Sequence, residues 1–433
     1  MNLLRRLTPG IGVKRWLLVV FLGLLLLALA FAHLLRQVSQ DLEPGGLAGA
    51  AIDLATLQFL PYPLRGLIVG SVGVGLLTLG GYKALRVVTD PLRHLGEDQP
   101  LVEVIYQKRF LARGPRIVAI GGGTGLSALL RGLKEHTSNL TAVVTVADDG
   151  GSSGVLRHEL GIPPVGDIRN CIAALADAEP LMNELLQYRF PEADTGAATG
   201  EGPGLAGHAV GNLLIVALWD LLGDTVAGLD WVGRLLGTGG RVLPMAAVPL
   251  DIVAEVVGAN PDRPEEISTV RGQAECASTP GQVRSITLLP PDPPAVPEAV
   301  RAVLDAEWVV FGPGSWFTSV LPHLLVPGLA SALHGTTARR LVVLNLAPQP
   351  GETEGFSPHK HLEVLAGHAP ALTVDVVLAD TKAARAGSLA DLEKAAAMLG
   401  ARLVTADVAA ADGTPRHDPR LLAGMYAHIF RGE

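Results

Sequence analysis

Cysteine is nearly missing from this chain: Cys171 and Cys276 are the two in 433 residues, and neither belongs to a Cys-x-x-Cys pair. That excludes a disulfide framework and a structural zinc site, and fits a reducing compartment for the main domain. Positive charge is also in deficit, 34 Lys and Arg against 42 Asp and Glu, for a formal net charge of -8. Nucleic acid is therefore not the expected partner, because a phosphate backbone demands clustered basic side chains. No internal repeat is visible. His359, His361 and His368 are close in sequence but lack a zinc-ligand pattern. No nucleophile stands out beside a base.

Long apolar runs are present at the N-terminus. Residues 16–35 are almost unbroken in apolar character, long enough to cross a bilayer, and Arg5, Arg6, Lys14 and Arg15 precede them. A second, glycine-rich run covers residues 66–82, with Lys83, Arg86 and Arg93 behind it. The stretch between the runs carries Asp41, Glu43 and Asp53 but only Arg36 and Arg65, so the positive-inside rule puts both ends in the cytoplasm. A cleaved signal peptide is the competing reading, since Ala28-Leu29-Ala30 and Ala30-Phe31-Ala32 look like cleavage sites. The first run is too long for a signal core and a second follows. The expectation is a membrane hairpin over residues 1–95 with two transmembrane helices, a linker over 96–115, and a cytoplasmic domain over 116–433, anchored at the cytoplasmic membrane.

From residue 116 onward short β-branched runs alternate with helical patterns, which predicts an α/β domain with a doubly wound, mostly parallel sheet. Strands are expected at 116–120, 142–147, 308–311, 341–344, 374–378 and 402–404. Residues 243–258 read as an antiparallel hairpin added to that sheet. The Gly, Ala and Thr-rich stretch 191–207 reads as a mobile loop, and 290–297 as a stiff proline-rich connection.

Three glycine turns follow strands. Gly121, Gly122, Gly123, Thr124 and Gly125 lead into a helical pattern; Asp148, Asp149, Gly150, Gly151, Ser152, Ser153 and Gly154 end the second strand; Gly312, Pro313, Gly314 and Ser315 follow the strand at 308–311. A strand, a glycine turn and a helix N-terminus together hold phosphate: backbone N–H groups and the helix dipole attract the anion, and glycine lets it approach. The first turn lacks the third glycine of the dinucleotide fingerprint, Leu126 standing in its place. A packing role alone is the plain alternative. Asp148 and Asp149 suit a ribose hydroxyl or a Mg²⁺ bound to phosphate, although aspartate also starts turns and caps helices.

Asp167, Arg169 and Asn170 open another helix. Asp167 is either an N-cap or a site residue, and Arg169 either its solvated partner or a fork onto a phosphate, with Asn170 facing the same pocket. His208 and Asn212 open a further helix; the histidine either packs or works beside phosphate as a donor, acid or base. Thr318, Ser319, Asn345 and the loop 349–356 fall along the same sheet edge. Within that loop Thr353, between Glu352 and Glu354, is a candidate for a mobile, phosphorylatable hydroxyl.

Together these segments resemble the YvcK-like gluconeogenesis factors, relatives of the CofD-like 2-phospho-L-lactate transferases. The resemblance rests on Gly121 to Ser127, Val144 to Gly154, Gly166-Asp167-Ile168-Arg169-Asn170, Gly207-His208, Gly211-Asn212-Leu213-Leu214 and Gly312-Pro313-Gly314-Ser315. It continues through Thr318-Ser319-Val320-Leu321-Pro322, Leu325-Val326-Pro327-Gly328 and Gly351-Glu352-Thr353, so it covers nearly all of the chain after residue 116. It implies a Rossmann-like domain whose pocket takes a UDP-sugar or another nucleotide, and a regulator of cell shape and envelope synthesis on gluconeogenic carbon sources. It further implies envelope-synthesis or kinase partners and a homo-oligomer. The transferase relatives imply the alternative: a lactyl-phosphate group moved from a guanosine-diphosphate-linked donor to a deazaflavin with Mg²⁺, held here by Asp148 and Asp149. A nicotinamide-dependent oxidoreductase is a third reading, from the partial fingerprint alone. The chain departs from simple cytosolic members by its N-terminal hairpin and by the loop between Phe190 and Gly207.

Overall fold

The structure, a computed structural model, describes residues 110–177, 180–191, 204–260, 262–263, 265–349 and 352–431, with seven isolated positions before residue 110. The expected hairpin, most of the linker and most of the loop 191–207 lie outside the described residues. Among the described residues no single helix is long and apolar enough to cross a membrane. The chain divides into two units, Met1–Asp98 and Gln99–Glu433, and the α/β domain lies in the second.

The elements run β1 (Ile117–Gly121), α1 (Gly123–Leu133), β2 (Leu140–Val144), α2 (Gly151–Leu160), α3 (Gly166–Leu175), α4 (Pro180–Gln187), α5 (Val210–Leu222), α6 (Thr225–Leu235) and β3 (Arg241–Pro244). Then come β4 (Asp251–Val257), β5 (Ile267–Arg271), α7 (Gln273–Ser278), β6 (Gln282–Leu289), α8 (Pro297–Asp305) and β7 (Trp308–Phe311). A buried π turn (Trp316–Val320) and a 3₁₀ turn (Leu321–Leu325) lead into α9 (Pro327–Gly335) and β8 (Arg339–Val343). The chain ends with α10 (Pro358–His368), β9 (Val376–Asp380), α11 (Thr381–Ala386), α12 (Leu389–Met398), β10 (Arg402–Ala406) and α13 (Pro419–Arg431).

Seven parallel strands form one sheet in the order β10-β9-β8-β7-β1-β2-β3. β1 is buried at every position, as a central parallel strand covered on both faces must be. Leu126, Leu129, Leu130 and Leu133 recur at helical spacing on α1 and are fully buried, so this helix seals one face. From β1 the chain winds outward through β2 and β3, then returns to the middle and winds the other way through β7 to β10. The strand order therefore reverses between β1 and β7, which opens a crevice at the carboxyl ends of those two strands.

The expected hairpin over 243–258 is corrected. β3 is a parallel edge strand of the main sheet, and β4 belongs to a separate antiparallel sheet of order β5-β4-β6. β4 buries alternate residues, the pattern of a sheet with one wet face, and β6 buries Val283, Ile286 and Leu288, its alternation broken at the register shift opposite Glu255 and Val256. β5, Ile-Ser-Thr-Val-Arg, has too little apolar character to announce itself. The strand expected at 374–378 starts two residues later, at Val376.

Candidate functional site

The first glycine turn lies at the switch point. Gly121 has φ +152° and Gly123 φ +61°, values an L side chain rarely adopts. Gly122 precedes α1 in an extended conformation with no side-chain cap, so the first amides of the helix are left to other partners. A Cβ on Gly122 would stand 2.6 Å from a carboxylate oxygen of Asp167 and from the Thr145 methyl. A Cβ on Gly125 would collide with the carbonyl of Pro313 in the third turn. The close-approach role of a third glycine thus falls to Gly125, while Leu126 is free to fill the core.

The third turn is fastened to its neighbours. The Gly312 amide donates to the Ile120 carbonyl at 2.8 Å, and Gly314 (φ +143°) exchanges two hydrogen bonds with the Asn345 side chain at 2.7 and 2.8 Å. Thr318 and Ser319, expected along the ligand edge, are buried. The Thr318 hydroxyl donates to Glu352 at 2.6 Å, and Ser319 gives its amide to the Ser315 carbonyl at 2.8 Å, so both secure the turn. Burial pushes the Glu352 carboxyl upward, against the hydrogen bonds from Thr318 and Phe317. Thr353 is not the mobile hydroxyl its acidic neighbours implied: it is fully buried and accepts from the Gln349 amide at 2.8 Å.

The carboxylates sort differently from the sequence expectation. Asp149 accepts from the Ala274 amide at 2.9 Å, in the first turn of α7, beside Gly272 at φ +101°. It caps α7, beside the small sheet, while its charge still acts on Asp148. Asp148 in turn acts on Asp167. A Cβ on Gly166 would lie 3.1 Å from Asp148 Oδ2, and Asp167 accepts from the Gly123 amide. Asp167 makes no N-cap bond to its own helix. Burial, then the charge of Asp148, pushes the Asp167 carboxyl up to about 6, and burial raises Asp148 as well. Asp167 and Asp148 are thus two desolvated carboxyls that repel each other, and oxygen ligands of that kind suit a divalent cation. Among the described residues no cluster of three or more His, Cys, Asp or Glu suits a metal.

Behind this pair runs a buried polar chain. Arg169 gives Nη1 to Asn212 and Nη2 to Asn170, both at 3.1 Å; Asn212 donates to Ser152 Oγ at 3.0 Å, which meets His208 Nδ1 at 3.1 Å. Ser153 Oγ accepts the Gly166 amide at 3.0 Å, joining the α2 and α3 starts, and Gly150 precedes α2 with its amide on Asp148. Arg169 is 5% exposed, its Nε has no partner, and burial lowers it to about 10. It therefore stands behind Asn170 and does not share the open cleft with it, contrary to expectation.

The cleft itself measures about 640 Å³. Thr124, Gly125, Asn170, Gly314 and Asn345, all named from the sequence as ligand-binding candidates, line it. Arg131, Gln187 and Gln349 line it too, together with Asp412, Arg416 and His417 from the loop between β10 and α13. That last wall was missed, because a polar loop distant in sequence carries no signal of where it folds back.

The fold and the crevice define a Rossmann-like α/β protein with an anion-suited cleft at the switch point of its sheet. Residues 117–414 match the family model described as 2-phospho-L-lactate transferase CofD. A Bacillus subtilis protein named gluconeogenesis factor is 37% identical over 272 residues, covering 63% of this chain and 80% of that one. A Mycobacterium tuberculosis protein given the same name provisionally is 51% identical over 313 residues, 71% of this chain and 88% of its own. The crystal structure of a Bacillus halodurans member of the UPF0052 family superposes with TM-score 0.63 at 34% identity, covering 73% of this chain and 99% of that one. The chain belongs to the gluconeogenesis factor family, within the CofD-like group.

Proposed function

We propose that this protein is a ligand-binding regulator whose cleft takes a nucleotide-linked sugar of the UDP-sugar class, and that the occupied state ties carbon metabolism to cell shape and envelope synthesis. One observation carries the reading: the turns at Gly125 and Gly314 meet at the switch point and open onto a cleft of about 640 Å³, a suitable size for a nucleotide-sized ligand. The names of the B. subtilis and M. tuberculosis relatives, gluconeogenesis factors, support the link to carbon metabolism. The N-terminal hairpin would hold the domain at the cytoplasmic face of the membrane, close to envelope synthesis. In a thermal-shift assay UDP-N-acetylglucosamine stabilises the protein, and Asn170→Ala, which strips an amide from the cleft wall, weakens that shift. No stabilisation at millimolar ligand would count against the reading. A reporter fused after Arg93 tests the membrane topology: activity only outside the cytoplasm would sink it.

The Asp148–Asp167 pair favours a second reading, a transferase of the 2-phospho-L-lactate type. Mg²⁺ held there would neutralise phosphate charge during group transfer. The chain's own part is to fix Asp167 on the Gly123 amide and Asp148 on the Gly150 amide, and to hold Asn170 through Arg169. Incubation with a deazaflavin and a guanosine-diphosphate-linked lactyl donor would then break the donor's diphosphate bond, joining the lactyl-phosphate to a deazaflavin hydroxyl as a phosphodiester and releasing GMP. A clean negative beside an active control enzyme would remove this reading.

A further inference from the structure

Hydrogen-bonding chemistry decides where each proton lies in the buried chain around Arg169. A guanidinium donates and never accepts, and although burial lowers this one to about 10, it stays charged at pH 7. The atoms that meet Nη1 and Nη2 at 3.1 Å are therefore the amide oxygens of Asn212 and Asn170, and neither amide can turn over without setting its own N–H against the guanidinium.

Beyond Asn212 the same direction continues. Asn212 Nδ2 donates to Ser152 Oγ at 3.0 Å, and the Ala209 amide reaches the same oxygen at 3.4 Å. Both lone pairs are then taken, so the hydroxyl proton goes to His208 Nδ1, 3.1 Å away. An imidazole that accepts at Nδ1 carries its proton on Nε2. His208 is buried, yet its Nε2 is not closed off from solvent and meets no hydrogen-bonding group among the described residues. At the other end, Asn170 Oδ1 takes a second donor, Gln187 Nε2 at 3.3 Å. Asn170 Nδ2 is left without a partner among the described residues, is not closed off from solvent, and belongs to a side chain that lines the cleft.

One donor-only side chain thus sets the direction of the whole chain, and an N–H group stands at each end of it. We propose that Arg169 is a positioning residue that holds Asn170 Nδ2 as a hydrogen-bond donor to an acceptor oxygen of the ligand, and through Asn212 and Ser152 holds His208 with its proton on Nε2. The ligand contact rests on the nucleotide-sugar reading above. The acceptor oxygen belongs either to the nucleoside diphosphate or to the attached sugar.

Two measurements on the full-length protein in detergent test this. The first is calorimetric titration with UDP-N-acetylglucosamine and, separately, with UDP. Lysine only donates, whereas glutamine carries an oxygen that lets Asn170 and Asn212 turn over, so Arg169→Lys is expected to bind roughly 3–10-fold more tightly than Arg169→Gln. A side chain that merely filled space would leave these two variants alike. Asn170→Asp keeps the oxygen that Arg169 holds and replaces the outward N–H groups with an acceptor; it is expected to weaken binding roughly tenfold or more, beyond the loss in Asn170→Ala. A loss with both ligands assigns the acceptor to the nucleoside diphosphate, and a loss with UDP-N-acetylglucosamine alone assigns it to the sugar. Equal affinity in Arg169→Lys and Arg169→Gln, or Asn170→Asp binding at least as well as Asn170→Ala, overturns the proposal and leaves the nucleotide-sugar reading standing. The second measurement needs no ligand: nitrogen NMR of protein with isotope-labelled histidine, the signal assigned by its absence in His208→Gln. The parent should show His208 protonated at Nε2 and bare at Nδ1, and Arg169→Gln a mixture of tautomers. Ser152→Ala, a smaller change, should release the tautomer in the same way should Arg169→Gln fail to fold. A proton on Nδ1 alone in the parent, or an unchanged tautomer in both variants, overturns the role of Arg169. If the parent binds neither ligand, the nucleotide-sugar reading fails and the ligand contact with it, and the histidine signal alone decides whether Arg169 directs the chain.

Discussion

Asn345 and Gly314 hold each other through both ends of one amide: the Gly314 N–H donates to Asn345 Oδ1 at 2.7 Å, and Asn345 Nδ2 donates to the Gly314 carbonyl at 2.8 Å. The end of β8 thereby fixes a turn that starts at β7, and that turn in turn abuts Gly125 of α1. The mouth of the cleft is rigid because three elements meet on one glycine. Asn345→Ala deletes both bonds and is expected to cost about 1–3 kcal/mol, at roughly 0.5–1.5 per bond. Urea denaturation of the protein and its variant measures this, and a change within error would show the pair to be incidental.

Gly125 and Gly367 are expected to respond oppositely to the same change. Gly125→Ala drives a methyl group into the Pro313 carbonyl, so the variant loses at least about 2 kcal/mol or fails to fold. Gly367 lies inside α10 with open space around the position of a Cβ, and Gly367→Ala should stabilise by about 0.5–1 kcal/mol. Melting temperatures of the two variants decide the matter together.

Asp167 makes stability depend on pH in an unusual direction. Its folded-state value, about 6, lies above the ordinary 3.8, so the folded protein binds the proton more tightly than the unfolded chain. The advantage is complete below about 3.8 and disappears as pH rises through about 6. Asp167→Asn should therefore match the parent near pH 4 and exceed it at pH 7.5, by on the order of 1–3 kcal/mol. Melting curves across that range check it. A variant less stable than the parent at pH 7.5 would contradict the cost assigned to burying this charge beside Asp148.

Asp251 works with the opposite sign. It bridges Arg157 of α2 and Arg271 of β5, and the two guanidiniums hold its carboxyl below the usual value against the effect of burial. Its contribution is present above about 3.8 and lost as pH falls through the lower folded value. Because Arg271 is largely exposed, Asp251→Ala should cost only about 1 kcal/mol globally. The loss is expected to fall on the small sheet, where amide exchange of β4 to β6 should quicken more than that of β1 and β7.

Much of the fold is legible in the residues. Continuous apolar runs at β1, β7 and β8 and the four leucines of α1 can only be buried between layers, which implies a parallel sheet. The glycine turns are legible because glycine is the residue that most readily takes those backbone angles and close approaches. The small sheet was less legible. β5 has hardly any apolar character, and β4 needs partners that lie ten or more residues away.

Within the candidate site the split has the same cause. The sequence by itself determined which segments carry phosphate-suited turns, since glycine and its φ requirement are local properties. Only the tertiary structure decided which side chains meet there. It set Asp167 within reach of the charge of Asp148, put Asp149 on the first turn of α7, set Arg169 behind Asn170, buried Thr353, and brought His417 to the cleft. Those outcomes depend on strand order and helix packing, which place residues distant in the chain within hydrogen-bonding distance, and no local pattern encodes such distances.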